Sequence, residues 1–295
     1  EDDYKYFLYT CVINAVAGGL LLLYGRGAEN KMSRRDGYCV VTLSWVFFTF
    51  FGMLPFYFSG SIDTITNAFF ETMSGFTTTG ATILDDIESL SHGMLFWRSL
   101  TQWIGGLGIV FFTIAILPIF TTGGVQLFSA ESTGVTHDRT HPKINVMAKW
   151  LWTIYLVLTV SETVLLMFGG MSLFDAICQS FATTATGGYS TKQNSISYWN
   201  SPYIEYVVAI FMIVSSINFS LFLMCLKGKV GRLFKDEELH WFLASVGILT
   251  FLITLALVFQ NHYDWELAFR KALFQVSTVH TSCGFATDDY NMWPP

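Results

Sequence analysis

Charged residues are scarce in this chain. Asp, Glu, Lys and Arg make up 13% of its 295 residues, whereas they make up about 25% of a typical soluble globular protein. Hydrophobic residues account for 52%, and aromatic residues, 28 of which are Phe, account for 17%. So few charges cannot cover the surface of a water-soluble domain of this size, and the composition therefore predicts a membrane protein.

Paired cysteines and long basic runs are also lacking. The five cysteines are scattered and never have the spacing of a Cys-x-x-Cys or Cys/His ligand set, which excludes a disulfide framework and a zinc site. The net charge of −6, without a basic run, excludes nucleic-acid binding. No His, Ser, Cys or carboxylate arrangement has the spacing of a catalytic site, so we expect neither an enzyme nor a bound cofactor.

One short motif occurs three times. Its skeleton is Thr, a small residue, Thr or Cys, and then Gly, and its copies end at Gly80, Gly187 and Gly284, which are 107 and 97 residues apart. Each copy follows a short, half-apolar segment that begins with an alanine. This alanine precedes the glycine by 12, 11 and 12 residues. Repetition at a nearly regular interval indicates one structural unit that is used three times.

The motif is typical of a re-entrant pore loop. A helix too short to cross a bilayer, followed by a loop of small residues, can lie at membrane depth where protein or water satisfies its backbone. Consecutive carbonyl groups on such loops can replace the hydration shell of a cation, and glycine lets a carbonyl turn inward at positive φ. The simpler interpretation is a helix that ends in a turn at glycine. Three copies between long apolar segments favour the pore loop.

Six apolar segments are candidates for membrane spans, which need about 20 residues. Pro55 is expected to kink or end the second of them, and a re-entrant unit follows the second, the fourth and the sixth. The predicted spans are Phe7–Tyr24, Cys39–Ser59, Leu95–Phe120, Trp150–Gly169, Pro202–Leu226 and Trp241–Phe259, and the re-entrant units are Ile62–Thr82, Leu173–Gly188 and Leu267–Gly284.

The ends of the chain do not resemble the ends of a complete protein. The first residues are Glu1, Asp2 and Asp3, which do not form the basic start of a signal peptide. The third unit has no returning span, because the chain stops 11 residues after Gly284. We therefore expect the sequence to be part of a longer protein.

Basic residues are concentrated on one side of the predicted membrane. Loops 25–37, 121–149 and 227–240 carry 11 of the 16 Lys and Arg residues against seven acids, and the opposite side carries five against 14 acids. By the positive-inside rule the first side is cytoplasmic, so the pore loops enter from outside. The acidic outer face predicts a vestibule that attracts cations and repels anions, and the alternative is a chance clustering of loop charges.

Glu162 is the one carboxylate well inside a predicted span. Such a residue is a functional candidate, for proton coupling or for an ion path, although it could also lie near the end of the span or pair with a Ser or Tyr. Because no basic partner occurs near it along its own span, we expect it to contribute little to permeation.

Three longer stretches resemble a known family. They are residues 70–82 (FETMSGFTTTGAT), 97–108 (WRSLTQWIGGLG) and 182–190 (ATTATGGYS). Together with the repeated order of span, half-helix, loop and span, they are similar to the Trk/Ktr/HKT superfamily of potassium transporters, and within it to the bacterial TrkH type. The resemblance extends over nearly the whole chain.

The resemblance implies an all-α polytopic membrane protein in which four membrane–pore–membrane units with re-entrant half-helices surround one pore. Residues 1–36 would form the last N-terminal accessory helix and a cytoplasmic loop. The first repeat would occupy residues 37–142, the second 143–236 and an incomplete third 237–295, with the fourth repeat and the family's gating loop absent from this sequence. Cys283 departs from the family pattern, in which Thr is more usual.

The resemblance also implies potassium uptake across the inner membrane of a bacterium, with potassium as the substrate and lipid around the protein. It implies a homodimer and a cytoplasmic ring of nucleotide-binding, TrkA-type subunits that gates the pore and docks on the basic loops. Serine in place of Gly80 would admit sodium. The implied ion-binding residues, through their backbone carbonyls, are Thr78, Thr79, Gly80, Ala185, Thr186, Gly187, Ser282, Cys283 and Gly284.

Several functions remain open from the sequence. Potassium uptake could be passive or coupled to sodium or protons, and a non-transporting membrane scaffold with polar re-entrant loops is a different class of protein with the same pattern. A channel assembled from separate subunits is disfavoured, because such a pore needs only one copy of the loop per chain.

Overall fold

The structure, a computed structural model, describes residues 3–27, 34–108, 144–218, 221–222, 225, 231 and 235–293. The described residues form α-helices joined by loops and two short 3₁₀ turns, without strands, which confirms the predicted all-α fold. The helices are α1 (Tyr4–Gly25), α2 (Arg34–Gly52), α3 (Leu54–Phe58), α4 (Ile65–Phe76), α5 (His92–Gly106), α6 (Ile144–Phe168), α7 (Leu173–Thr184), α8 (Pro202–Ser215), α9 (Glu237–Gln260) and α10 (Trp265–His280).

Four helical segments in the described part of the chain are long and apolar enough to cross a membrane. They are Tyr4–Gly25, Cys39–Phe58, Lys149–Phe168 and Glu237–Gln260, and they confirm four of the six predicted spans. The described portions of the other two, α5 and α8, are shorter helices. The rest of the predicted span Leu95–Phe120, and most of the end of Pro202–Leu226, lie outside the described residues.

Two helix boundaries differ from the prediction. Helix α6 begins at Ile144, so the predicted polar loop 121–149 is partly helical, and α2 begins at Arg34 within the predicted loop 25–37. Polar residues at the cytoplasmic end of a span extend the helix beyond its apolar part because nothing in their sequence stops it. Pro55 acts as predicted, since α2 ends at Gly52 and Pro55 stands in the first turn of α3.

The three half-helices α4, α7 and α10 are confirmed and are built alike. Thr64 and Ser172 begin the first two, and their hydroxyl groups accept hydrogen bonds from backbone N–H groups of the first turn. The alanines that mark each repeat, Ala68, Ala176 and Ala272, are fully buried. A methyl side chain at this position lets the half-helix approach the long helices that surround it.

Neighbouring units are joined through the half-helices. Helices α4, α7 and α10 pack against the long helices α2, α6 and α9 that precede them in their own units. Helix α5, which follows the first unit, also packs against α7, and α8, which follows the second, packs against α10. Each returning helix therefore touches the re-entrant helix of the next unit, and this arrangement brings the three loops together.

Candidate functional site

The site is formed by the loops that follow the half-helices: the first loop (residues 77–82), the second (185–190) and the third (281–286). Each half-helix ends in the same turn, in which one N–H bonds to the carbonyl three residues back and the next to the carbonyl five residues back. These pairs are Thr78–Gly75 and Thr79–Ser74, Thr186–Thr183 and Gly187–Ala182, and Ser282–Val279 and Cys283–Thr278, at 2.8–3.1 Å.

The residue that closes each of these turns is not glycine. Thr78, Thr186 and Ser282 have φ of 53°, 51° and 57°, a left-handed conformation in which glycine is the usual residue. Holding a residue with a Cβ there costs about 1–3 kcal/mol, and such strain is concentrated at functional sites. The simpler interpretation of the motif, a helix that ends at its glycine, is therefore wrong, because the helix ends before the glycine.

The glycines follow two residues later and correct the predicted alignment of the second loop. Gly80, Gly188 and Gly284 have φ of 78°, 75° and 92°, whereas Gly187 is not among the residues at positive φ. The residue that corresponds to Gly80 is thus Gly188. The predicted range Ala185–Gly187 began one residue early, because Ala185 stands at the helix end, where the first loop has Thr77.

The sequence contained the signal for this correction. Gly188 lies 12 residues after Ala176, which equals the spacing of 12 from Ala68 to Gly80 and from Ala272 to Gly284. With the glycine pair Gly187-Gly188, either residue satisfies the four-residue skeleton, and only the distance from the buried alanine decides between them.

Carbonyl groups of two loops converge on the first loop. A Cβ added to Gly80 would meet the carbonyl oxygen of Gly187 and would lie 3.6 Å from the carbonyl oxygen of Cys283. A Cβ added to Gly188 would likewise meet the Cys283 carbonyl. Gly187 and Cys283 hold corresponding positions in their loops. The structure therefore brings residues of all three predicted ion-binding segments together at one place.

Gln102 of α5 holds the second loop in position. Its Nε2 donates to the carbonyl oxygen of Gly187 at 2.6 Å, and its Oε1 accepts from the backbone N–H of Tyr189 at 3.0 Å. A Cβ on Gly187 would overlap the Gln102 amide, so Gly187 is small because this side chain approaches it. Gln102 was not predicted as a site residue, although an amide inside an apolar span is itself a signal for a functional residue.

A buried ion pair joins the first half-helix to the second loop. Arg98 Nε donates to Glu71 Oε1 at 2.7 Å, and the two side chains are 2% and 0% exposed. The Arg98 Nη1 donates to the carbonyl oxygen of Ser190 at 3.0 Å, and the guanidinium lies 3.6 Å from the centre of the Tyr189 ring. Arg98 thus contacts the second loop at two points while it pairs with the first unit.

Glu71 also orders the exit of the first loop. Its Oε1 accepts a hydrogen bond from Thr82 Oγ1 at 2.9 Å, and its Oε2 accepts one from the backbone N–H of Ile83 at 3.0 Å. The hydroxyl of Tyr189 donates to the backbone carbonyl of Glu71 at 2.7 Å. Every polar atom of this buried carboxylate is therefore satisfied.

A second set of charges joins the second and third units. Glu205 of α8 accepts hydrogen bonds from Arg270 Nη1 at 2.7 Å and from Lys271 Nζ at 3.1 Å. Lys271 also donates to the carbonyl oxygen of Thr287, beyond the third loop, at 2.7 Å. Arg270 additionally pairs with Glu266, one turn earlier in α10. The same kind of cross-link therefore occurs twice.

The outer surface is left with few positive charges. Three of the five basic residues assigned to the outer side are engaged in these inward ion pairs, while Asp85 and Asp86 beside the first loop are exposed. Lys192, after the second loop, pairs with Glu88 at 3.2 Å. Burial lowers the pKa of Lys192, but the hydrogen bond and charge of Glu88 outweigh this effect and raise it.

Glu162 lies beside the second half-helix. It is 0% exposed, and its Oε2 accepts a long hydrogen bond of 3.5 Å from Thr184 Oγ1, at the last residue of α7. Neither end of the span nor a Tyr is its partner, so of the three alternatives that the sequence left open, the structure favours a position next to the loops.

Comparison with known proteins gives the same family from sequence and structure. The family of the cation transport protein TrkH matches residues 4–295. The chain is 42% identical over 292 residues to the Trk system potassium uptake protein TrkH of Escherichia coli (strain K12), which covers 98% of this chain and 60% of that protein. The crystal structure of the potassium transporter TrkH from Vibrio parahaemolyticus matches with a TM-score of 0.86 at 32% identity, covering 100% of this chain and 61% of that one.

A further relative is the Trk system potassium uptake protein TrkH of Halomonas elongata, 35% identical over 297 residues, which cover 100% of this chain and 62% of that protein. The chain thus spans about three fifths of the length of these relatives. Their names denote transport proteins rather than enzymes, in agreement with the expectation from the sequence. Because the family match extends over residues 4–295, this chain belongs to the TrkH family of cation transport proteins.

Proposed function

We propose that the three loops form part of a potassium-selective filter and that the whole protein takes up potassium across the inner membrane of a bacterium. The observation that carries this proposal is the convergence of the Gly187 and Cys283 carbonyl groups on Gly80. Carbonyl oxygens from several loops around one axis replace the hydration shell of potassium. The potassium uptake named for the relatives agrees with this function.

The half-helices favour a cation at the same place. Helices α4, α7 and α10 all end at the loops, so the negative ends of three helix dipoles lie beside the converging carbonyl groups. The exposed Asp85 and Asp86 would raise the local concentration of cations outside. The proposed ligands are the backbone carbonyls of 78–80, 186–188 and 282–284, the second range being shifted by one residue from the range derived from the sequence.

We further propose that the protein works as a homodimer with a cytoplasmic ring of nucleotide-binding, TrkA-type subunits. The relatives are named as parts of a Trk system, and a system of several components agrees with a separate gating partner. The basic loops on the cytoplasmic side supply charges to which such a ring could dock.

The test is rubidium and sodium uptake by the full-length gene product in cells that lack potassium uptake, with Gly80→Ser as the variant. A side chain at Gly80 meets the Gly187 carbonyl and disfavours the positive φ by roughly 1–2 kcal/mol. A change of about 1.4 kcal/mol is roughly tenfold in an equilibrium. We therefore expect the variant to be expressed and dimeric, but to lose most of its discrimination against sodium.

Gly60→Ser is the matched control. Gly60 has a similar φ of 67° and lies outside the three loops, with open space where a Cβ would stand, so this variant carries the same backbone strain without touching the proposed filter. We expect it to keep normal selectivity. Rescue by the unaltered protein together with normal selectivity in Gly80→Ser would show that residues 77–82 are not the filter, and an inert, well-expressed protein would favour a scaffold.

A further inference from the structure

Glu162 is the buried carboxylate that the proposed filter does not use. It lies on α6, within the span Lys149–Phe168, and is fully buried. Its Oε2 is contacted by the hydroxyl of Thr184, the residue immediately before the second loop. Its Oε1 has no hydrogen-bond partner among the described residues. One carboxylate oxygen is thus tied to the base of the second loop and the other is free.

The other two buried acids of the described chain have cationic partners. Glu71 pairs with Arg98, and Glu205 pairs with Arg270 and Lys271. In the part of the chain that the structure describes, Glu162 has no Lys, Arg or His within ion-pair distance. Burying a carboxylate without a counter-charge costs several kcal/mol, so a cation that comes close to Glu162 would stabilise it.

The surroundings of Glu162 lead to the converging loops. Thr184 Oγ1 also contacts Thr159 Oγ1 at 3.4 Å, which fixes the hydroxyl between α6 and α7. Cys283 of the third loop is fully buried and close enough to Glu162 for an electrostatic interaction. The carbonyl of the same Cys283 is one of those that meet at Gly80 and Gly188. Glu162 therefore lies behind two of the loops that would hold the ion.

We propose that Glu162 is a positioning residue of the filter, which fixes the base of the second loop through Thr184 and whose counter-charge is the ion held by the loops. This inference rests on the proposed potassium filter. From the sequence alone, Glu162 was expected to matter little, because only its own span was searched for a partner. In the folded protein its neighbours come from α7 and from the third loop.

The consequence is an effect on ion affinity. Removing one negative charge behind the loops weakens the attraction for the cation, and at the distances of a neighbouring helix this corresponds to roughly a tenfold change in affinity. We expect Glu162→Gln in the full-length gene product to raise the KM for rubidium about tenfold and to leave the maximal rate within about twofold. Glu162→Asp keeps the charge and should stay within about threefold of the normal KM.

Two further variants separate charge from packing. Thr184→Val removes the hydroxyl but keeps the carboxylate, and it should raise KM less than Glu162→Gln. Glu238→Gln makes the same chemical change at an exposed residue in the first turn of α9 and should leave KM unchanged. As a second readout, rubidium should raise the thermal midpoint of the purified protein less in Glu162→Gln than in the unaltered protein.

The outcomes are distinguishable. Rubidium transport with a normal KM and normal rubidium stabilisation in Glu162→Gln would overturn this inference and leave the proposed filter intact. An equal rise of KM in Glu162→Asp and Glu162→Gln would overturn it as well, because the charge would then not be the cause. If the unaltered protein carried no rubidium, the proposed function would fall and this inference with it.

Discussion

The contact between the first and second units and the contact between the second and third units use the same pair of residue types in opposite directions. In the first contact the half-helix supplies the acid, Glu71, and the returning helix supplies Arg98. In the second the returning helix supplies the acid, Glu205, and the half-helix supplies Arg270. Both pairs fasten a half-helix to its neighbouring unit.

The two contacts differ in how much depends on a single residue. Arg98 is the one cation that the described structure gives Glu71, and the same guanidinium holds Ser190 and the ring of Tyr189. Glu205, in contrast, has two cations, Arg270 and Lys271. The first contact therefore has no substitute for its arginine, whereas the second has one built in.

The repeat thus preserves the backbone but not its charges. The residues that correspond to Glu71 in the other half-helices are Gln179 and Gln275, three residues after the buried alanine in each copy. Gln179 meets the loop of its own unit through a neutral hydrogen bond to Ser190 Oγ at 2.7 Å. One repeat unit can therefore be fastened by a neutral amide where another uses a buried carboxylate.

The largest effect is expected from Arg98→Met. The methionine keeps the apolar stem but leaves Glu71 buried without a cation, which typically costs about 3–5 kcal/mol. We expect the thermal midpoint of the detergent-solubilised protein to fall by more than in any other single variant of these two contacts. The combined change Glu71→Gln with Arg98→Met should recover part of the loss, since the uncompensated charge is then gone. A loss below about 1 kcal/mol in Arg98→Met would contradict the dependence on one residue.

A smaller effect is expected from Arg270→Met. Lys271 remains 3.1 Å from Glu205, so the carboxylate keeps a counter-charge and the cost should approach that of a lost hydrogen bond to a charged group, about 1.5–3 kcal/mol. The same thermal midpoint measures it. Removing both cations, with Arg270→Met and Lys271→Met, should bring the loss to the level of Arg98→Met. If Arg270→Met alone were as damaging as Arg98→Met, the second contact would have no reserve.

Much of the fold followed from the sequence. Apolar length and the three alanines predicted the half-helices, and Pro55 predicted the break between α2 and α3. These features depend on residues that are close in the chain, where propensity and hydrophobic pattern act directly. The family resemblance added the order of the units, which the comparisons then supported independently.

The partners across units did not follow from the sequence. Arg98 and Ser190 are 92 residues apart, and Gln102 and Gly187 are 85 residues apart. No local pattern connects such pairs, because the partner depends on which face each helix presents after packing. The position of Gly188 was lost for a different reason, since two adjacent glycines satisfied one motif and the spacing to Ala176 was not used to choose between them.

The smallest effect is expected at the rim, where Lys192 pairs with Glu88. The two side chains are 22% and 43% exposed, and ion pairs of this kind contribute about 0–1 kcal/mol and are screened by salt. Lys192→Gln should therefore lower the thermal midpoint slightly at low salt and not at 1 M NaCl, whereas the loss in Arg98→Met should persist at high salt. Folding raises the pKa of Lys192, so its contribution is complete below the ordinary lysine pKa of about 10.4 and is lost only as the pH rises through the higher value in the folded protein. Between pH 6 and 9 the difference between Lys192→Gln and the unaltered protein should consequently stay constant, and a change within that interval would mean that another titrating group, and not this ion pair, accounts for the difference.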